Sequence, residues 1–331
     1  MSGEIRGIAE SPFQMRTYIE FEKPIAELEA KVAELRSLSE DGGNVSLEED
    51  IGRLEQKAKQ LLADTYAKLN PWQKTMVARH AERPHCQDYI NGLIEDFTTL
   101  AGDRYYAEDA AIVGGMGMFR GRSVMVIGQE KGHDTESRIR HNFGMARPEG
   151  YRKAVRLMEM AERFNLAVIT LVDTAGAYPG VGAEERGQAE AIARSIDCCL
   201  SLGVPMVTVV IGEGGSGGAI AIATANRILM LEHAIYTVAS PEAAAAILWR
   251  DKAKAIDAAT SMRITAQDLI ALGVIDEIIP EPVGGAHRDK TETISRTGDA
   301  IQRALETMDG LSPDDLRARR AERFMQMGRN L

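Results

Sequence analysis

Two apolar spacings divide this chain. Ile25, Leu28, Val32 and Leu35 are separated by three, four and three residues, and Ile51, Leu54, Ala58 and Leu61 repeat that spacing. Apolar positions that return every three or four residues share one stripe of a helix. Both stretches therefore predict helices with a narrow seam, and Asp41-Gly42-Gly43-Asn44 between them is a turn signal. The pair predicts an antiparallel helical hairpin with charged outer faces and a structural role, packed on a neighbour or a partner. Residues 66–100 read as irregular helix, interrupted at Arg83-Pro84-His85.

From residue 110 the period changes. Residues 110–118 and 123–127 are short apolar runs joined by Arg120-Gly121-Arg122, which predicts two strands and a tight turn. Pro148-Glu149 opens a helix that runs through Arg163. Strands follow at 167–172, 205–211, 227–231, 235–238 and 274–279, and helices at 183–202 and 217–225. Ser240 caps a further helix with Pro241 in its first position, and Thr265 to Gly273 is a short capped helix with a glycine stop. Strands alternating with helices indicate an α/β core. The expected organisation is an extension over 1–15, native or added, then a helical hairpin and linker helices over 16–100. A core over 101–290 and charged C-terminal helices over 291–331 complete it.

Composition narrows the class. The chain has 331 residues, of which 44% are hydrophobic and 27% charged, so it can bury a sizeable core. A formal charge of −10 argues against a general binder of nucleic acid or anionic membrane. Cys86, Cys198 and Cys199 form no C-x-x-C spacing, which gives no zinc signal, predicts buried packing, and fits a reducing, cytoplasmic setting. No charged-then-apolar leader opens the chain, and no apolar run reaches the ~20 residues of a membrane helix.

Two units share one grammar of strand, glycine loop and helix. The first loop is Asp173-Thr174-Ala175-Gly176-Ala177-Tyr178-Pro179-Gly180, and the second is Gly212-Glu213-Gly214-Gly215-Ser216-Gly217-Gly218. Gly212, Gly214 and Gly217, with Glu232 further on, match a dinucleotide fingerprint, but the helix that follows is short for that unit. Gly214, Ser216 and Gly218 match a nucleophile elbow, with Asp276 and His287 in the hydrolase order. A phosphate loop fails, because Ala219-Ile220 stand where Lys and Ser or Thr are needed. The fourth reading is an oxyanion hole, in which Gly217 and Gly218 offer unpaired amides at a helix start. Close packing of helix on strand asks for the same small residues, so the loop alone leaves both open. Lys131, Arg138 and Arg140 follow a strand and read as a solvated basic face or a contact for acidic phosphates or a partner. Glu184, Glu185 and Arg186 read as a helix-start charge pattern.

Longer motifs point further. Gly102-Asp103-Arg104, Gly128-Gln129-Glu130-Lys131-Gly132, Asn142-Phe143-Gly144-Met145 and Pro148-Glu149-Gly150-Tyr151-Arg152-Lys153-Ala154 occur in order. So do Gly176-Ala177-Tyr178-Pro179-Gly180, Ala183-Glu184-Glu185-Arg186-Gly187-Gln188, Ile247-Leu248-Trp249 and Glu281-Pro282-Val283-Gly284-Gly285-Ala286-His287-Arg288-Asp289. With these the chain closely resembles the alpha subunits of bacterial acetyl-CoA carboxylase carboxyltransferase over nearly all of residues 16–310. It departs from that pattern at Ala175, where the family usually has Pro, and within Thr237-Val238-Ala239-Ser240-Pro241-Glu242-Ala243.

The resemblance implies an α/β crotonase fold, a spiral of ββα units. It implies carboxyl transfer from carboxybiotin on a carrier protein to acetyl-CoA, giving malonyl-CoA in the first committed step of fatty acid synthesis. Gly217 and Gly218 would hold the biotin ureido oxygen, while Gly176, Ala177, Tyr178, Gly180, Gly214 and Gly215 shape the same cleft. A homologous beta subunit would complete the site in an α2β2 assembly and carry the zinc, with no metal in this chain. The biotin carboxyl carrier protein and an ATP-consuming biotin carboxylase are the other implied partners. A serine hydrolase using Ser216 is the alternative.

Overall fold

A computed structural model describes residues 17–40 and 45–329. The expected extension over 1–15 and the turn signal at 41–44 lie outside the described residues. Two compact units are present, one reaching to Gln60 and one running from Leu61.

The first unit holds α1 (Lys23–Glu40) and most of α2 (Val45–Tyr66). Arg36 of α1 pairs with Glu55 of α2, an exposed bond of the kind worth well under about 1 kcal/mol.

The second unit begins with α3 (Pro71–Ala78) and α4 (Cys86–Leu93). Strands β1 (Glu95–Thr99), β2 (Ile112–Phe119) and β3 (Arg122–Gln129) follow, then α5 (Thr135–Arg140) and α6 (Pro148–Arg163). Next come β4 (Ala167–Thr174), α7 (Val181–Glu185), α8 (Gln188–Ser201), β5 (Met206–Gly215) and α9 (Ser216–Ala223). The remainder is β6 (Arg227–Leu231), β7 (Ile235–Thr237), α10 (Pro241–Trp249), α11 (Ala255–Ser261), α12 (Ala266–Ala271), β8 (Glu277–Ile279), α13 (Lys290–Glu306) and α14 (Pro313–Gln326).

The strands form one sheet in the order β1-β2-β3-β4-β5-β6-β8, with β7 paired to the end of β5. The β1–β2 and β2–β3 pairs are antiparallel, and the pairs from β3 onward are parallel. Parallel strands covered on both faces are apolar throughout, and every residue of β4 and β5 is buried. Gly114, paired with Ile127, faces Leu157 of α6, whereas Gly128, the next residue of β3, faces Cys86 of α4. Successive strand residues point to opposite faces, so α6 and α4 cover opposite sides of the sheet. Among the described residues, no helix is long and apolar enough to cross a membrane.

Several elements depart from the pattern read in the sequence. The helix expected over 183–202 is broken in two, because Gly187 adopts φ 80° and ends one helical run before the next begins. Glu95–Thr99 is a strand, although its composition is polar and mostly exposed; its pairing with β2 creates it. The final strand is only Glu277–Ile279. Within the charged tail, α13 buries Ala300, Ile301, Ala304 and Leu305, and α14 buries Arg320 completely.

Candidate active site

The carboxyl ends of β3, β4 and β5 bring the two glycine segments together. The second segment is not a loop. β5 continues through Gly215, because β7 replaces β6 as its partner at Glu213↔Ile235, Gly214↔Tyr236 and Gly215↔Thr237. Helix α9 then starts directly at Ser216, whose φ of 53° makes the sharp corner between strand and helix.

Gly215 and Gly218 are needed by the chain itself. A Cβ on Gly215 would lie 2.1 Å from the Ala175 carbonyl oxygen, and one on Gly218 would lie 2.6 Å from the Ala177 nitrogen and the Gly176 carbonyl carbon. The two segments therefore touch backbone to backbone. Gly217 differs, since a Cβ there would meet only the Ile192 side chain, at 3.6 Å, an ordinary contact. Gly176 completes a turn closed by Thr174, whose hydroxyl donates to the Gly176 carbonyl at 2.8 Å and accepts its amide at 3.1 Å. Gln188 donates to the carbonyls of Ala146 and Tyr178, both at 2.9 Å, which pins the far end of that segment ahead of Gly180. Arg147 stacks over the Tyr178 ring at 4.8 Å. So the structure brings Gly218 against Gly176 and Ala177 and Gly215 against Ala175, with Gly214 inside the strand and Tyr178 and Gly180 further along the first segment.

At the start of α9 the amides of Ser216, Gly217 and Gly218 precede the first intrahelical acceptor that could take them. They lie at the positive end of the helix dipole, a place suited to negative charge.

Beneath the corner lies a cluster of charges far apart in sequence. Lys131 approaches Asp173 at 2.7 Å and Glu213 at 3.4 Å. Arg79 pairs with Glu213 at 2.7 Å and with Glu242 at 2.6 Å. His85 Nδ1 is 3.3 Å from the other oxygen of Asp173, while its Nε2 is buried and has no partner among the described residues. Burial alone would raise the Asp173 carboxyl, but the Lys131 ammonium, followed by His85 and the Glu213 amide, holds it far below the usual carboxylate range. Burial would lower Lys131, but Asp173 and Glu213 together raise it. Both acids nearest the corner are thus paired with cations.

Two polar side chains complete the frame. Gln129, fully buried, accepts the Asp173 amide at 3.1 Å and donates to the Gly218 carbonyl at 2.7 Å. Asp173 accepts the Glu213 amide at 2.9 Å. Both lie in segments the sequence singles out, Gly128 to Gly132 and the first glycine loop, but the pattern assigns neither side chain a role. The available signals were a polar run directly after an apolar strand, and an acid ending the apolar run of β4.

The other candidates fare differently. The hydrolase arrangement is not assembled. Asp276 bonds Arg323, Arg227 and the Ile228 amide. It sits level with Thr208, eight residues before Ser216 along β5, or roughly 25 Å at the rise of a strand. His287 is stacked on His80 with ring centroids 3.8 Å apart. Lys131 is turned into the charge cluster rather than out with Arg138 and Arg140, so the three do not form one basic face. Arg186 is engaged by buried Glu149. Cys86 and Cys199 are buried and Cys198 is half-buried, with burial pushing the Cys198 thiol up to about 12.

Residues 18–328 match a family model described as acetyl co-enzyme A carboxylase carboxyltransferase-like. The chain is 65% identical over 317 residues to a protein of Rhodopseudomonas palustris strain HaA2 named acetyl-coenzyme A carboxylase carboxyl transferase subunit alpha, covering 96% of this chain and 98% of that one. It is 66% identical over 317 residues to the protein of the same name in Methylobacterium nodulans, covering 96% and 100%. Among solved structures it is similar to the transcarboxylase 12S core with methylmalonyl-coenzyme A bound, with TM-score 0.56 and 22% identity. That match covers 68% of this chain and 41% of the other, so it spans less than half of the longer protein. It is also similar to a chain of a Pseudomonas malonate decarboxylase hetero-tetramer in complex with coenzyme A, with TM-score 0.57, 18% identity, and 72% and 94% covered. At these identities the structural likeness speaks for the fold alone.

Proposed function

This chain belongs to the acetyl-coenzyme A carboxylase carboxyltransferase family, and from that premise we propose that it is an alpha subunit whose glycine corner serves carboxyl transfer to acetyl-CoA, giving malonyl-CoA. Its fold is the crotonase fold of such carboxyltransferases. Biotin, delivered on a carrier protein, supplies the activated carboxyl group.

The corner fits the charge that this chemistry leaves on a urea oxygen. The amides of Gly217 and Gly218 have no intrahelical acceptor and point the positive end of α9 outward. The single observation that carries the reading is Gly217. A glycine inside a helix costs up to about 1 kcal/mol against alanine, and nothing within the chain requires one there. Close approach of an outside group does. A preorganised donor of this kind typically contributes about 3–4 kcal/mol to the transition state. The acids beneath the corner are poor candidates for a base: the Lys131 ammonium holds the Asp173 carboxyl far below the usual carboxylate range, which leaves it a weak base, and Glu213 is tied to Arg79 and Lys131. The residues of this chain therefore orient and stabilise charge rather than move protons. Gly176, Ala177, Tyr178 and Gly180 bound the cleft, and Gly214 and Gly215 bring the corner up to it.

The enzyme is a multi-subunit one. A homologous beta subunit completes the site by holding the thioester oxygen, carries the zinc, and assembles with this chain as α2β2. The carrier protein and an ATP-consuming biotin carboxylase supply the donor, in the cytoplasm. Supporting the partner, large apolar side chains are exposed at Val238, directly after the strand that pairs with Glu213 to Gly215, and at Ile247, Leu248 and Trp249 at the end of α10.

The test is reconstitution with the beta subunit and an assay of malonyl-CoA formed from acetyl-CoA and a carboxybiotin donor. Product should require both chains, and Ser216→Ala should keep most of the activity. Ester hydrolysis by this chain alone, abolished by Ser216→Ala and with no malonyl-CoA formed, would return the hydrolase reading.

A further inference from the structure

Two buried side chains grip the glycine corner at its two ends, and we infer that Gln129 and Asp173 are positioning residues for carboxyl transfer, an inference that rests on the function proposed above. The corner runs from Glu213 to Gly218. At one end the Asp173 carboxylate accepts the Glu213 amide at 2.9 Å. At the other end Gln129 Nε2 donates to the Gly218 carbonyl at 2.7 Å, while its Oε1 accepts the Asp173 amide at 3.1 Å. One chain of bonds thus joins β3, β4, the end of β5 and the first turn of α9.

The sheet itself leaves this work undone. Between Val172↔Val210 and Thr174↔Gly214, β4 advances two residues while β5 advances four. The regular ladder is lost there, and the Asp173 carboxylate takes the amide left over. It also fills the space beside Gly212, where a Cβ would lie 2.5 Å from Asp173 Oδ1. Gln129 has no freedom to turn its amide group over. A flipped amide would set its NH2 against the Asp173 N–H and its oxygen against the Gly218 carbonyl, pairing donor with donor and acceptor with acceptor. The arrangement therefore fixes the Gly218–Ala219 peptide, the unit directly after the one that carries the Gly218 N–H, at a residue where the absence of a side chain leaves the backbone freest. An active site pays heavily for misplacement, and a shift of about 1 Å costs about a hundredfold in rate.

Gln129→Glu separates positioning from mere support. The side chain keeps its size and its oxygen for the Asp173 amide, but at about pH 8 a carboxylate oxygen faces the Gly218 carbonyl. In the reconstituted enzyme, kcat at that pH should fall about a hundredfold with KM for both substrates changed less than about twofold. Activity should recover as pH falls and the acid is protonated, because a carboxyl O–H restores the donor; the wild type should show no such recovery. Gln129→Met, which removes both bonds and adds no charge, should lower kcat without the pH-dependent recovery. Thermal melting and co-purification with the beta subunit are followed for both variants. Unchanged kcat in both variants overturns the inference. So does loss of activity that tracks a lower melting temperature, or failure of both to fold, since either assigns Gln129 to structure alone. A wild type that forms no malonyl-CoA instead sinks the proposed function, whatever the variants do.

Discussion

Two adjacent glycines in α9 should respond in opposite ways to one added methyl group. In Gly218→Ala the new Cβ would lie 2.6 Å from the Ala177 nitrogen and the Gly176 carbonyl carbon, against an ordinary contact of about 3.5–4 Å. Both obstacles are backbone, so one of the two glycine segments must move by about 1 Å. Forced overpacking of this size costs about 1–3 kcal/mol. In Gly217→Ala the methyl meets Ile192 at 3.6 Å, which requires no movement. Replacing glycine in a helix by alanine is favourable by up to about 1 kcal/mol, so this variant should be as stable as the wild type or slightly more so. Urea unfolding followed by circular dichroism reads the two directly. Malonyl-CoA formation by the reconstituted enzyme gives the second axis. Gly218→Ala should lose stability and about a hundredfold in kcat together. Gly217→Ala should lose activity while keeping or gaining stability, because crowding there falls on the approaching group and not on the chain. Full activity in Gly217→Ala would refute the reasoning that glycine is present at 217 for a ligand.

Two further outcomes follow from the buried ion pair between Arg83 and Glu281. Arg83 also donates from Nε to the Ile211 carbonyl at 2.7 Å, just before the glycine corner, and both partners are fully buried. Arg83→Met leaves the Glu281 carboxylate buried without its cation, so it should cost about 3–5 kcal/mol in urea unfolding. A loss below about 1 kcal/mol would count against the pair. The Glu281 carboxyl is raised by burial but lowered more strongly by Arg83, to about 2 from an ordinary 4.5. A depressed carboxyl contributes its full stability above the unfolded value and loses it as pH falls toward the folded one. Stability should therefore decline between about pH 4.5 and 2, by at most about 1.4 kcal/mol per pH unit for this group, with a shallower decline in Glu281→Gln. An identical slope in the variant would show that other groups dominate.

Much of the scaffold is legible in local pattern. Pro148 to Arg163 is a helix with proline at its first position, as the amphipathic spacing indicates. Arg227 to Leu231 is a strand, and Ser240 caps its helix by accepting the Ala243 amide. What local pattern misses is made by distant partners. Glu213 to Gly215 look like a loop because glycine carries no alternation, yet β7 pairs with them and makes them strand. Glu95 to Thr99 look unlike a strand, yet β2 pairs with them. The glycine corner itself stands out in the sequence, and so do the amides at the start of its helix. Its frame does not. Lys131, Asp173, Glu213 and Arg79 are separated by tens of residues, and only the convergence of three strand ends makes a cluster of them. Lys131 in particular looks like part of a basic run with Arg138 and Arg140, because sequence gives no direction to a side chain after a strand.

The central claim is that two backbone amides, and no side chain of this subunit, stabilise the charge that develops during transfer. Replacing Gly217 or Gly218 in turn by glycolic acid tests it most directly, since the ester removes one N–H and adds no atom that could clash. In the enzyme reconstituted with its beta subunit, each replacement should lower kcat by about 10²–10³ with folding intact. A kcat within about twofold of the wild type in both esters would contradict the account.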